Sequence, residues 1–67
     1  MQNERLEPRE GWRINPLRRC YERGPEEEPI RVYPIAGEFV ASVFGCWIEG
    51  VWSTFEEATA AAEKEAS

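Results

Sequence analysis

Several groups of residues in this 67-residue chain have types and spacings that could do chemistry. The adjacent carboxylates Glu56-Glu57 invite an acid–base reading. Neighbouring helix positions point about 100° apart, however, so the pair does not converge on one bond. Thr54, three residues before Glu57, supplies another role. Thr-x-x-Glu is the capping box, in which the Thr54 hydroxyl accepts the Glu57 backbone N–H and the Glu57 carboxylate reaches back to Thr54. Cys20 and Cys46 are the only thiols. Arg19 beside Cys20 could lower its pKa. The chain has no histidine to complete a nucleophilic set, and no paired CxxC for zinc. Both cysteines are expected to stay reduced, with no catalytic residues, no cofactor and no metal.

Recognition chemistry is better represented. Arg13, Arg18, Arg19 and Arg23 form a basic cluster, and arginine holds phosphate bidentately. Few phosphates could be neutralised by so small a set, so nucleic acid is expected to be a minor alternative. Glu26, Glu27 and Glu28 form an acidic run between Pro25 and Pro29. It reads as an extended, solvated linker or as a contact for a basic partner. Tyr33, Trp47 and Ile48, together with Val40 and Phe44, could line an apolar sheet face, and such patches on small domains mark interfaces.

The charge is divided along the chain. Residues 1–25 hold six arginines against four glutamates, and residues 26–67 hold nine glutamates against Arg31 and Lys64, giving −5 overall. Chains of this length bury only roughly 60% of their unfolded surface, so three tryptophans are many for one thin core. No apolar run is long enough to span a bilayer. The polar N-terminus lacks the apolar stretch of a secretion signal, and a cytoplasmic setting is expected.

These residues need elements to position them. Residues 1–11 are charged and almost free of apolar side chains, the composition of a flexible tail. Residues 12–25 form an Arg-rich segment. Asn15-Pro16 opens and Gly24-Pro25 closes a short helix, with Leu17, Cys20 and Tyr21 on one face; the rival is an extended segment from Trp12 to Tyr21 that adds an edge strand to the sheet. Residues 26–29 are the linker, and residues 30–67 the main domain. Within it, residues 30–33 alternate as a strand that Pro34 ends or confines to an edge. A turn at residues 35–38 precedes a second strand over residues 39–44. A third strand, residues 46–52, is broken by a turn or bulge at Glu49-Gly50. Thr54 then starts a helix bearing Phe55, Ala58, Ala61, Ala62 and Ala66 on one side. The expected fold is α+β: a three-stranded antiparallel sheet on a C-terminal helix, with the N-terminal segment over the other face.

The Gly37-x-Phe39-Val40-Ala41 strand and the Thr54-x-x-Glu57-Ala58 helix start resemble a family of small bacterial and phage β-β-β-α domains of unknown function. They are also similar, more distantly, to the DNA-binding domains of plant ethylene-response factors and the arm-binding domains of integrases. Those relatives imply DNA contact through a basic sheet face. Residues 30–52 offer Arg31 as the only base, beside Glu38 and Glu49, which argues against that use here. In size and acidity the chain is similar to small phage inhibitors, including anti-CRISPR proteins that imitate nucleic acid. All thirteen acids are Glu and seven of eight bases are Arg, a bias in keeping with a bacterial or phage source. The expected function is a small acidic protein-interaction module, an inhibitor that binds a host protein with a basic groove, or a homodimer through the free sheet face.

Overall fold

The computed structural model describes residues 6–67 and lays five strands and one helix along the chain. They are β1 (Arg13–Asn15), β2 (Cys20–Arg23), β3 (Ile30–Ile35), β4 (Glu38–Val43), β5 (Cys46–Trp47) and α1 (Phe55–Ala66). The strands form one antiparallel sheet in the order β1-β2-β3-β4-β5, with α1 packed against one face. The sheet therefore has five strands where sequence periodicity gives three.

The two extra strands come from the Arg-rich segment. The expected short helix is not formed. Asn15 Oδ1 does accept the backbone N–H groups of Leu17 and Arg18, both at 3.1 Å. That is the chemistry of a helix cap, but here it shapes a loop of residues 16–19 that returns β2 against β1, with Arg19 in the left-handed region (φ 57°). An eight-residue helix cannot recover its nucleation cost alone, whereas β2 gains a full ladder against β3, with Tyr21 opposite Val32 and Arg23 opposite Ile30. The acidic run is likewise not an extended linker. Gly24 has φ 92° and the Glu28 N–H donates to the Pro25 carbonyl at 3.1 Å, so residues 24–29 close a compact β2–β3 connection.

Pro34 does not end its strand. It lies inside β3, opposite Phe39. Phe39 exchanges both backbone hydrogen bonds with Trp52 on its other side, so Pro34 and Phe39 are a non-hydrogen-bonded pair. The missing N–H of Pro34 points toward β2, whose pairing with β3 reaches only Val32. The residue lacking a donor thus occupies the position where none is needed.

The tight turns at Ala36-Gly37 and Phe44-Gly45 have positive φ at both central residues, the signature of type I′ hairpins. After β5 the strand bulges. Ile48 donates to the Ala41 carbonyl at 3.0 Å, and the next paired residue is Trp52, opposite Phe39. Three residues on this side span one on β4, and the even offset keeps Ile48 and Trp52 on the same side of the sheet. Gly50 permits the bulge. Its φ is 132°, and a Cβ there would lie 3.1 Å from the Trp52 ring.

Tyr21, Val32, Ala41 and Val43 from the sheet meet Phe55, Ala58 and Ala62 from α1 in the core. Thr54 caps the helix as expected, its hydroxyl accepting the Glu57 N–H at 3.1 Å. The alanines let α1 lie close, and Phe55 fills the space at its start. Trp12, Tyr21 and Phe39 stand edge-on to the Phe55 ring, at 5.5, 4.9 and 6.1 Å between centroids. Of the expected tail, residues 1–5 lie outside the described residues. Residues 6–11 are laid against this cluster: Leu6 packs on the core, Glu7 N–H donates to the Tyr21 hydroxyl, and the Arg9 guanidinium sits 4.2 Å over Phe55. A cation over an aromatic face replaces the apolar contacts this segment lacks.

Candidate interaction face

The sheet face opposite α1 is covered by no described element. The N-terminal segment, expected to fold over it, instead extends the sheet sideways. Its Trp12 and Tyr21 point to the helix side, and Leu17 stands 95% exposed in the β1–β2 loop. Strand alternation therefore leaves an open face with a polar half over β1, β2 and the start of β3, and an apolar half from Tyr33 across to β5.

Glu22 organises the polar half. One carboxylate oxygen accepts from Arg31 Nε at 2.7 Å and from Asn15 Nδ2 at 2.8 Å. The other lies 3.4 Å from Arg13 Nε. Strand register creates the cluster, since Arg13, Glu22 and Arg31 are consecutive cross-strand partners. Glu22 is buried at 8% exposure. Burial by itself raises its pKa; the bonds from Arg31 and Asn15 and the charges of Arg31 and Arg13 outweigh it and hold the carboxyl below its ordinary 4.5. The Glu22 hydrogen bond pushes Arg31 up in turn.

Cys20 is fully buried beside this network. Burial first, and the Glu22 charge second, raise its thiol above the ordinary 9.0, against a hydrogen bond with Tyr33 and the pull of Arg31 and Arg18. An activated thiol lowered by Arg19 is therefore not what the environment makes. Cys46 is exposed and both thiols are free. Three strand spacings separate β2 from β5, roughly 14 Å, well beyond disulfide reach.

The apolar half is built on Tyr33 and Trp47. They meet diagonally across β4 with centroids 4.9 Å apart and planes tilted by 48°. Val40 lies opposite Tyr33 in the ladder, and Ile35 continues the same face of β3. Trp47 is 64% exposed and Ile35 53%. Ile48 does not join them; it is half-buried and packs on the core beneath. Sequence reasoning misses Ile35 because Pro34 reads as the end of the strand, although the alternation Arg31, Tyr33, Ile35 carries through it.

The remaining expected contacts are dispersed. Glu26, Glu27 and Glu28 are exposed, but their turn sits at the end of the sheet beside the Phe44-Gly45 hairpin, whose Phe44 N–H donates to the Pro29 carbonyl at 2.9 Å. The four arginines do not form one face. Arg13 bridges Glu22 and the Gly24 carbonyl. Arg23 is on the helix side, paired with Glu63 and 5.6 Å over the Trp12 ring. Arg18 and Arg19 lie in the loop at the opposite end of β2. Among the described residues no cluster of three or more His, Cys, Asp or Glu could hold a metal, and no helix is long and apolar enough to cross a membrane.

No family model, no curated protein and no solved structure matches this chain.

Proposed function

We propose that this domain is a non-enzymatic module that binds another protein through the open face of its sheet, with Tyr33 and Trp47 at the centre of the contact. One observation carries the reading: Trp47 stands 64% exposed against Tyr33 on a face that no other described element covers. Tryptophan, tyrosine and arginine are the residues that most often dominate binding energy at interfaces. The neighbouring polar half suits the same role. Because Glu22 is already hydrogen-bonded by Arg31 and Asn15, a partner could dry this surface without stranding its carboxylate. The net charge of −5 favours a basic partner and speeds its encounter. Inhibition of a host protein that offers a basic groove is the activity such a module would perform.

Nucleic-acid binding through Arg13, Arg18, Arg19 and Arg23 receives less support. Two of the four are held by Glu22 and Glu63, on opposite faces of the sheet.

A photo-crosslinking amino acid at Val40, on the open face, compared with one at Ala60, on the exposed side of α1, tests the proposal. Val40 is expected to give discrete adducts and Ala60 none; equal yields from both would sink it. An adduct of twice the chain mass would identify the occupant as a second copy, and sedimentation of Trp47→Ala would then show a monomer.

A further inference from the structure

The open face reaches the edge of the sheet at β5, and there the surface changes character. A groove of about 520 Å³ runs along that edge, lined chiefly by Phe44, Cys46, Trp47, Ile48, Glu49 and Glu65. Its apolar walls are two exposed aromatic rings and the side of Ile48. Its charges are two carboxylates, Glu49 from the bulge and Glu65 from α1, and among the described residues no base lines it. The turn carrying Glu26, Glu27 and Glu28 lies at the same end of the sheet, joined through the Phe44–Pro29 hydrogen bond.

The backbone adds directionality. β5 is the outermost strand of the sheet. The Ile48 N–H bonds inward to Ala41, so alternation turns the N–H and C=O of Trp47 outward along the groove. Such an edge can receive an added strand, with main-chain hydrogen bonds giving affinity and side-chain pockets giving specificity. Phe44 occupies a left-handed position (φ 54°) that an asparagine or glycine would take with less strain.

We infer that this groove receives an extended, arginine- or lysine-bearing segment of the partner protein. Its backbone pairs with Trp47, and a basic side chain lies against an aromatic ring between Glu49 and Glu65. Charge complementarity selects the occupant: a cation over an exposed ring with two carboxylates in reach gains from both, while an acidic segment or a phosphate backbone is repelled. The inference rests on the protein-binding reading and names the chemistry of the partner.

The test titrates the full chain into a fluorescein-labelled hexapeptide of alternating arginine and valine, with a glutamate-for-arginine peptide as control, following anisotropy at low salt. The arginine peptide is expected to bind and the glutamate peptide not. The double variant Glu49→Gln/Glu65→Gln is expected to weaken binding about tenfold. The triple variant Glu26→Gln/Glu27→Gln/Glu28→Gln removes more charge outside the groove and is expected to change it about twofold or less. Circular dichroism verifies that each variant is folded. No binding of the arginine peptide, or an equal loss in the triple variant, overturns the groove. Crosslinking from position 40 separates the two proposals, because Val40 lies on the open face and not in the groove. If peptide binding fails while Val40 crosslinking persists, the groove falls and the open face stands. If both fail, both fall.

Discussion

Replacing Glu22 with glutamine should cost the domain about 2 kcal/mol at neutral pH, with a pH signature that identifies the cause. Glu22→Gln keeps the side-chain shape and can keep its oxygen facing Arg31 Nε and Asn15 Nδ2, at the 2.7 and 2.8 Å now observed. What it loses is the charge. Hydrogen bonds to ionised groups contribute about 1.5–3 kcal/mol against about 1 for neutral ones, and two such bonds converge on one oxygen here. Arg13 adds little, because it is half exposed and 3.4 Å away. A domain of this size has a total stability of roughly 3–10 kcal/mol, so the loss is a large fraction of it and corresponds to a melting point lower by about 8–16 °C. The folded-state pKa of Glu22 is depressed below 4.5. Its contribution is therefore fully present above 4.5 and is lost as pH falls through the lower folded-state value. Urea unfolding followed by tryptophan fluorescence at pH 7 and at about pH 3 should show the gap between wild type and variant shrinking at the acid end. A gap below about 0.5 kcal/mol at pH 7, or one that is the same at both pH values, would refute the account of Glu22 as a charged keystone.

Other substitutions probe the backbone. Gly50→Ala should destabilise by about 2 kcal/mol or more, because φ is 132° and the new methyl would meet the Trp52 ring at 3.1 Å. Ala36→Asn should stabilise by about 0.5 kcal/mol, since it places Asn-Gly in a type I′ turn whose first position has φ 52°. Thr54→Ala should cost about 1 kcal/mol by removing the acceptor of the Glu57 N–H. Phe44→Asn relieves left-handed strain while deleting a ring from the β5 groove. Its stability should hold within about 1 kcal/mol in urea while arginine-peptide binding falls.

The candidate interaction face was legible in part. The alternation of residues 30–33 and 39–44 places Tyr33 and Val40 opposite the helix, and pairing with β4 brings Trp47 beside them. Ile48 was misplaced because a short apolar run shows no face of its own; only the Ser42–Trp47 pairing decides that Trp47 points out and Ile48 in. Glu22 gave no local signal. It looks like one more surface glutamate until register sets it between Arg13 and Arg31. Arg9 is a similar case. Composition marks residues 6–11 as solvated, and the segment docks because Phe55, more than forty residues on, offers a ring for its guanidinium.

Local chemistry determined the elements whose signals are complete within a few residues. The Thr54 cap, the alanine face of α1, the Gly37 and Gly45 turns and the break at Glu49-Gly50 each follow from side-chain type and spacing. The fate of the Asn15–Gly24 stretch depended on energies no window of sequence contains. Its polar punctuation is satisfied equally by a helix cap and by a hairpin loop. The β2–β3 ladder decided between them by offering hydrogen bonds and burial for Tyr21 that a lone eight-residue helix lacks. That choice widened the sheet to five strands and carried Trp12 and Tyr21 to the helix side. It left the Tyr33–Trp47 face uncovered, and with it the surface on which the proposed function rests.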